Sequence, residues 1–303
     1  MNFRHFMRRG VPNAPQPGTP AWKRFLTASK IPSVMHTSPW QTRFQLWHEM
    51  AGNIEVEPPN PTVLDRGHRL EEPIARWLGD QHPELSIKSC GGRWWQAGTR
   101  YAATPDRLAI DERGHVAALV EIKTASNPAG WGRPGTDEIP AYYYDQVQWQ
   151  MHCTGADRVM VAVLLGVRLE FAEYLVERDD VRICQMVRAA EEFMDSLEAG
   201  VEPDWSVEAG DFQVYETIRE LHPDIEDYAV EATEEAAQAI TRYRKAKRLA
   251  EVTEARAKAY AAAELETGRA LTYQGDTIAR RTARKTRTGE PGTPYIAFTK
   301  GKL

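Results

Sequence analysis

Asp106, Glu121 and Lys123 have the side-chain types and spacing to do chemistry. They lie in the stretch 103–125, ATPDRLAIDERGHVAALVEIKTA, which reads as two short strands joined by a tight turn. With Arg113-Gly114 as a two-residue tip, Asp106 stands directly opposite Glu121. Side chains alternate along a strand, so Glu121 and Lys123 share one face while Val120 and Ile122 point to the other. Two carboxylates opposed across a ladder repel one another unless a cation sits between them. A solvated ladder at a strand end would carry the same letters. The run AALVEIKTA argues for a site instead, because it reads as a buried strand, where a Glu and a Lys are costly unless paired or metal-bound. The chemistry such a trio supports is hydrolysis assisted by a hard divalent ion, with the lysine orienting or deprotonating a water or stabilising transition-state charge.

Helices and strands must bring the trio together. Residues 10–20, GVPNAPQPGTP, read as a linker. AWKRFLTASKIPSVM predicts a short helix entered through Thr27-Ala28-Ser29, and SPWQTRFQLWHEMAG a helix ending at Gly52. PTVLDRGHRLEEPIARWLGDQHPEL continues as helix, with Leu70, Ile74, Trp77 and Leu78 on its apolar side and a kink permitted at Pro73. Strands follow up to residue 125, then the loop SNPAGWGRPGTDEIP and the helix AYYYDQVQWQMHCTG. RVMVAVLLG and RLEFAEYLV are further strands, and DVRICQMVRAAEEFMDSLEAG is an amphipathic helix closed by Gly200. This order predicts a mixed α/β core. Beyond EPDW, 202–205, the composition changes: 228–266 is helical and rich in Ala, Glu, Arg and Lys, and RALTYQGDTIARRTARKTRTGEPGTPYIAF reads as a β-hairpin with a basic tip or strand. These residues form an appended arm.

The chain has 303 residues, 42% hydrophobic and 27% charged, enough for one large domain with an appendage. The longest apolar stretches fall well short of a membrane span, and the first residues carry no apolar signal core, which predicts a cytoplasmic protein with no membrane partner. Cys90, Cys153 and Cys184 are scattered, and His68, His115 and His152 lack zinc-ligand spacing, so ligands for a metal must be sought among carboxylates. The formal net charge of -5 is unevenly spread. Residues 1–30 carry six Lys/Arg and no acid, 268–303 carry eight against two acids, and PDIEDYAVEATEEA carries six acids and no base. Basic patches of this kind attract polyanions, although either alone also fits a solvated terminus. The aromatic clusters RWWQ and YYYD could stack bases, but core or interface anchoring is the commoner use.

TASKI, SPWQTRFQLWHEMAG, RGHRLEEPIA, ATPDRLAI, VEIKTA and QVQWQM, in that order, resemble the blocks of the YqaJ-type viral recombinases and the lambda-type phage alkaline exonucleases, within the PD-(D/E)xK nuclease superfamily. The resemblance spans residues 20 to 200 and implies roles position by position. Asp106 and Glu121 match the metal-binding carboxylates, with the main-chain carbonyl of Ile122 as a further ligand. Lys123 matches the catalytic lysine, Glu71 the helix carboxylate behind the metal, and Gln148 the active-site glutamine. Ser29 matches a serine near the DNA-end phosphate, and Arg24 a neighbouring phosphate-binding arginine, although this chain is shorter there than the family. The acid is doubled: Glu71 lies at the expected interval from Gly67, while Glu72 precedes the proline as the family's glutamate does. Glu71 is preferred. Gln146, Gln148 and Gln150 on an amphipathic helix are also what a plain surface would carry.

The resemblance implies an α/β, restriction-endonuclease-like PD-(D/E)xK core over 21–206, with a central mixed β-sheet flanked by helices. A flexible basic segment, 1–20, precedes it, and a C-terminal helical and basic β-hairpin arm, 207–303, follows. The implied activity is a Mg²⁺-dependent DNA exonuclease of a phage-type recombination system, with Mn²⁺ as a substitute ion. It would resect double-stranded DNA ends 5′ to 3′ and leave 3′ tails for a single-strand annealing protein, as a homo-oligomer and, on the lambda-type pattern, a trimeric ring. The gene would be carried by a phage or prophage. Polarity and assembly come from the resemblance alone. An endonuclease of the same superfamily is the rival enzyme; an iron–sulfur relative would need four clustered cysteines. A catalytically silent DNA-binding or assembly protein is the rival of another class, and loss of an acid or the lysine would mark it. Asp106, Glu121 and Lys123 are all present.

Overall fold

The computed structural model describes residues 19–55, 60–90, 94–95, 98–205, 213–284, 290 and 292–299. Residues 1–18 of the expected basic segment and 285–289 of the basic run lie outside them, as do Arg93, Gln96 and the side chain of Trp95. Two compact units divide the chain after Asp224.

The first unit opens with α1 (Pro20–Lys23), β1 (Leu26–Thr27), α2 (Ile31–Val34), α3 (Arg43–Ala51) and α4 (Pro61–Gln81). Then come β2 (Ser86–Ser89), β3 (Trp94–Trp95), β4 (Tyr101–Ala103), β5 (Arg107–Ile110) and β6 (Val116–Ala125). It closes with α5 (Ala141–Thr154), β7 (Arg158–Leu165), β8 (Glu170–Glu177), α6 (Asp180–Ala199) and α7 (Gln213–Leu221). Local signals set the helix ends. Thr42 caps α3 by accepting from the Gln45 amide, Asn60 caps α4 ahead of Pro61, and Asp179 caps α6 by accepting from Arg182. Gly155 ends α5 in the left-handed conformation that an L side chain rarely adopts.

The five-stranded sheet runs β2-β5-β6-β7-β8, antiparallel except for the parallel pair β6/β7. Parity divides its two faces. Ala118, Val120 and Ile122 pack with Ile74, Ala75 and Leu78 of α4. Leu119 packs on the other side with Val159, Val161 and Val163 and with Val147 and Met151 of α5. The opposite side of α5 sends Trp149 into a cluster with Ile31, Leu46, Ile183, Met186 and Phe193. Helix α5 is therefore buried on both sides, and the mixed sheet flanked by helices is the architecture expected.

Several local expectations differ. The Thr-Ala-Ser segment does not start a helix, because β1 pairs in parallel with β4, Leu26 beside Tyr101 and Thr27 beside Ala102; Lys30 is the residue that begins α2. Trp77 leaves the apolar stripe of α4: it stays 45% exposed and stacks flat on Phe171, 5.0 Å away. The hairpin tip is not a two-residue Arg113-Gly114 turn. The Gly114 and His115 amides bond back to Asp111, Gly114 has φ +78, and a bulge then moves the pairing from Ile110–Val116 to Ala109–Ala118. The first unit continues past 206, since α7 packs on α3 with Val214 and Thr217 buried.

The second unit holds α8 (Glu234–Leu265) and an antiparallel sheet, β9 (Ala270–Tyr273), β10 (Asp276–Thr282) and β11 (Tyr295–Phe298), in the order β11-β10-β9. Its small core joins Ala261 and Leu265 to Leu271, Ala279 and Ile296. The hairpin of the expected arm is thus extended by a third strand. Among the described residues, no helix is long and apolar enough to cross a membrane.

Candidate active site

Glu121 and Lys123 sit on the α5 face of β6, as parity requires. Asp106 immediately precedes β5, and the pairing of Arg107 with Val120 brings it beside Glu121. Its Oδ2 accepts from the Ile122 amide at 2.7 Å, which ties the carboxylate to the strand that carries the other two residues. Lys123 Nζ pairs with Glu121 Oε1 and lies 4.9 Å from the Tyr143 ring centroid. Burial pushes the Asp106 carboxyl up to about 7, and the neighbouring Glu121 charge pushes the same way. Burial pulls Lys123 down, but the Glu121 and Asp106 charges outweigh it and leave the ammonium above its usual range.

Helix α5 completes the setting of Glu121. Gln150 Nε2 donates to Glu121 Oε2 at 2.7 Å, and Gln146 Nε2 donates to Oε1 at 2.5 Å. These two residues are one helical turn apart and so share the sheet-facing side. Gln148, the glutamine expected at the site, does not reach it. Its Nε2 donates to the Glu177 carbonyl at 2.7 Å and its Oε1 accepts from the Asp179 amide at 2.9 Å, so it fastens α5 to the β8–α6 connection. The reason is rotational: position 148 lies halfway round the turn between two sheet-facing positions.

Glu71 reaches the site through Arg107, whose Nη1 it binds, and its charge contributes to raising Asp106. Glu72 lies further out, shared between Arg107 and Arg76. Arg107 also donates to the Asp106 carbonyl at 2.8 Å, making it a brace between α4 and β5. Ser29 is exposed, with its hydroxyl 3.0 Å from that of Thr27, and Arg24 is the exposed residue that closes α1. The pairing of β1 with β4 sets this segment beside the strand that leads through Thr104 and Pro105 to Asp106. The sequence does not point to Arg107, does not rank Gln146 and Gln150 above Gln148, and offers Tyr143 only as one ring of the YYYD cluster. The one-turn spacing of Gln146 and Gln150 is present in the sequence, but nothing in it says which side of the helix faces Glu121.

Among the described residues, no three His, Cys, Asp or Glu side chains converge closely enough to hold an ion alone. Asp106 and Glu121 nevertheless fit a hard divalent cation of the kind that is held by one or two carboxylates and fills its remaining positions with water and phosphate. Burial first and the Glu121 charge second disfavour the ionised Asp106, and such an ion would offset both.

Residues 7–157 match the YqaJ-like viral recombinase domain. The uncharacterized protein YqaJ of Bacillus subtilis (strain 168) is 28% identical over 178 residues, 55% of this chain and 51% of that protein, so the chain spans about half the length of this relative. Among solved structures, an alkaline exonuclease (LHK-Exo) from Laribacter hongkongensis is similar at 21% identity and TM-score 0.45, over 61% of this chain and 95% of that one. A phage-related exonuclease from Haemophilus somnus 129PT is similar at 16% identity and TM-score 0.44, over 58% and 96%. With the Asp106, Glu121 and Lys123 blocks all inside the matched residues, the chain belongs to the YqaJ-like viral recombinase domain family.

Proposed function

We propose that the protein is a Mg²⁺-dependent deoxyribonuclease that resects linear duplex DNA from its ends, 5′ to 3′, leaving 3′ single strands for an annealing protein. The observation that carries this reading is the joining of Asp106, Glu121 and Lys123 at one end of the β5–β6 hairpin, with Ile122 bonding Asp106 from the strand between. When bound, the ion supplies Lewis acidity toward water and phosphate. Asp106 and Glu121 hold it, the Ile122 carbonyl is a further oxygen in reach of the same strand end, and Gln146 and Gln150 fix the Glu121 carboxylate. Lys123 points its ammonium at the reacting phosphate and stabilises the charge that builds there. Ser29 and Arg24 take the phosphate at the DNA end. Mn²⁺ substitutes for Mg²⁺.

A formally acidic chain cannot rely on overall charge to stay on a polyanion. Enclosure by a homo-oligomeric ring, a trimer on the lambda-type pattern, would keep it bound between cuts. The test is to incubate equimolar linear and supercoiled plasmid with the protein and Mg²⁺, with light scattering to give the mass in solution. Digestion of the linear form alone by an oligomer supports the reading. Rapid loss of the supercoiled form favours an endonuclease, and no digestion of either favours a silent DNA-binding protein.

A further inference from the structure

Trp40 is 60% exposed, yet nothing about its surroundings is loose. The Ser38 hydroxyl accepts from both the Trp40 and the Gln41 amides at 3.2 Å. Thr37 Oγ1 donates to Asp145 Oδ2 of α5 at 2.7 Å, and Gln41 Nε2 donates to Glu49 Oε2 of α3 at 2.7 Å. The loop between α2 and α3 is therefore pinned on both sides of the indole. The indole itself sits edge-on to Tyr142 at 4.6 Å, and Tyr142 sits edge-on to Tyr143 at 4.3 Å. Tyr143 is the ring over which Lys123 places its ammonium. The edge of the indole packs on Tyr142, but the rest of the ring, left in water, adds nothing to the fold, and an aromatic presented in this way is fit to receive a flat partner.

The position says which partner. The centroid of Trp40 is 6.2 Å from that of Tyr143, and Tyr143 is 4.9 Å from Lys123 Nζ. At the ~3.4 Å per nucleotide of a stacked strand, and fewer nucleotides for a more extended one, that path spans at most about three nucleotides from a phosphate held at Lys123. We propose that Trp40, seated on Tyr142, is a stacking platform for an unpaired base within about three nucleotides of the scissile phosphate. The substrate is then held by a base as well as by its phosphates, without preference for sequence, since every base has a face to stack. The inference rests on the nuclease reading above.

The test measures affinity for an end-labelled duplex in Ca²⁺, which holds the complex without turnover, using the wild type, Trp40→Ala and Trp40→Phe. Each meets DNA that is intact or lacks one base at one of the first three positions of either strand. Trp40→Ala should weaken binding about 10-fold, the size of one base–aromatic stack, and Trp40→Phe should keep most of the affinity. At one position, removing the base should weaken the wild type to a similar extent and leave Trp40→Ala unaffected, because each change deletes the same interaction. A merely structural role would give independent losses. Full additivity at every position, or Trp40→Ala binding as tightly as the wild type, would overturn the platform. So would a fall in particle mass for Trp40→Ala without coupling to any base, which would make Trp40 a subunit contact. A wild type that cuts duplex ends but shows no coupling sinks this inference alone, whereas one that neither binds nor cuts them sinks the nuclease reading as well.

Discussion

Gln150 donates to Glu121 across 2.7 Å of wholly buried space, and its own carbonyl oxygen accepts no hydrogen bond among the described residues. The amide is oriented for the carboxylate rather than for its own satisfaction. A residue that orients a metal ligand changes metal affinity when removed, typically 10–100-fold. Gln150→Ala is therefore expected to raise the Mg²⁺ concentration for half-maximal cleavage by about 10-fold or more. Gln148→Ala is expected to lower stability by ~1–3 kcal/mol through the loss of its two hydrogen bonds, with the Mg²⁺ titration unmoved. The reverse pattern would return Gln148 to the site.

Asp106→Asn and Glu121→Gln should each reduce Mg²⁺-dependent cleavage by more than about 100-fold, since a direct ligand matters more than its orienting neighbour. Asp106→Asn should keep its stability, because it removes one of two mutually repelling carboxylates, while Glu121→Gln should fold with some loss, because its amide N–H meets the Lys123, Gln146 or Gln150 donors. Urea unfolding and a digestion assay on the same samples check the two halves of the claim. Near-wild-type cleavage by either variant would eliminate the site.

Lys123→Ala should lower turnover far more than duplex affinity, because its interactions strengthen with charge on the reacting phosphate. Lys123→Arg should fail to restore the rate: a planar, delocalised guanidinium does not concentrate its charge as the compact ammonium held between Glu121 and the Tyr143 ring does, and it cannot act as a base. Single-turnover rates set beside binding in Ca²⁺ separate the two. Equal losses in both would make Lys123 a phosphate-positioning residue.

Lys30 offers a pH test away from the metal ligands. Burial pushes its ammonium down from 10.5 to about 8, while its Nζ donates to the Lys23 and Phe25 carbonyls. Between those values the unfolded chain holds a proton that the folded chain has released, so stability rises with pH across that window. The melting temperature should climb from pH 8 toward 10.5 relative to Lys30→Met, in which that contribution is absent. A parallel pH profile for the two proteins would remove Lys30 as the cause.

Truncation after Asp224, where the first compact unit ends, should leave a folded core and flatten the salt dependence of duplex binding. Every phosphate that the basic arm no longer neutralises takes roughly 0.9 off the log–log slope. An unchanged slope would assign the arm to protein partners.

The parts of the site set by strand alternation were legible in the sequence, since alternation depends only on neighbouring residues. Glu121 with Lys123 facing one way follows from alternation alone, whereas Asp106 stands beside Glu121 only because the bulge between Ala109 and Ile110 restores the register that the two-residue turn would have given. The choice among Gln146, Gln148 and Gln150 did not follow, because α5 is buried on both sides and shows no contrast of polar and apolar faces. The brief parallel pairing of β1 with β4 depends on residues far apart in the chain, so the Thr-Ala-Ser segment looked helical. The ring chain from Trp40 to Tyr143 had no local signal, since its members come from a loop and a helix that sequence patterns do not connect.

The bulge at Ala109 works as an expansion joint. On one side of it, the Asp111–His115 turn closes with its own geometry; on the other, β6 keeps the phase that both layers of helices demand. If the strand slipped by one residue, Glu121 and Lys123 would be driven against Ile74 and Leu78, and Val120 would meet the amides of Gln146 and Gln150. The extra residue, Ala117, absorbs the mismatch instead. The tip of the hairpin can therefore change by a residue in the course of descent without turning the acids out of their pocket, whereas the strand beyond the bulge cannot.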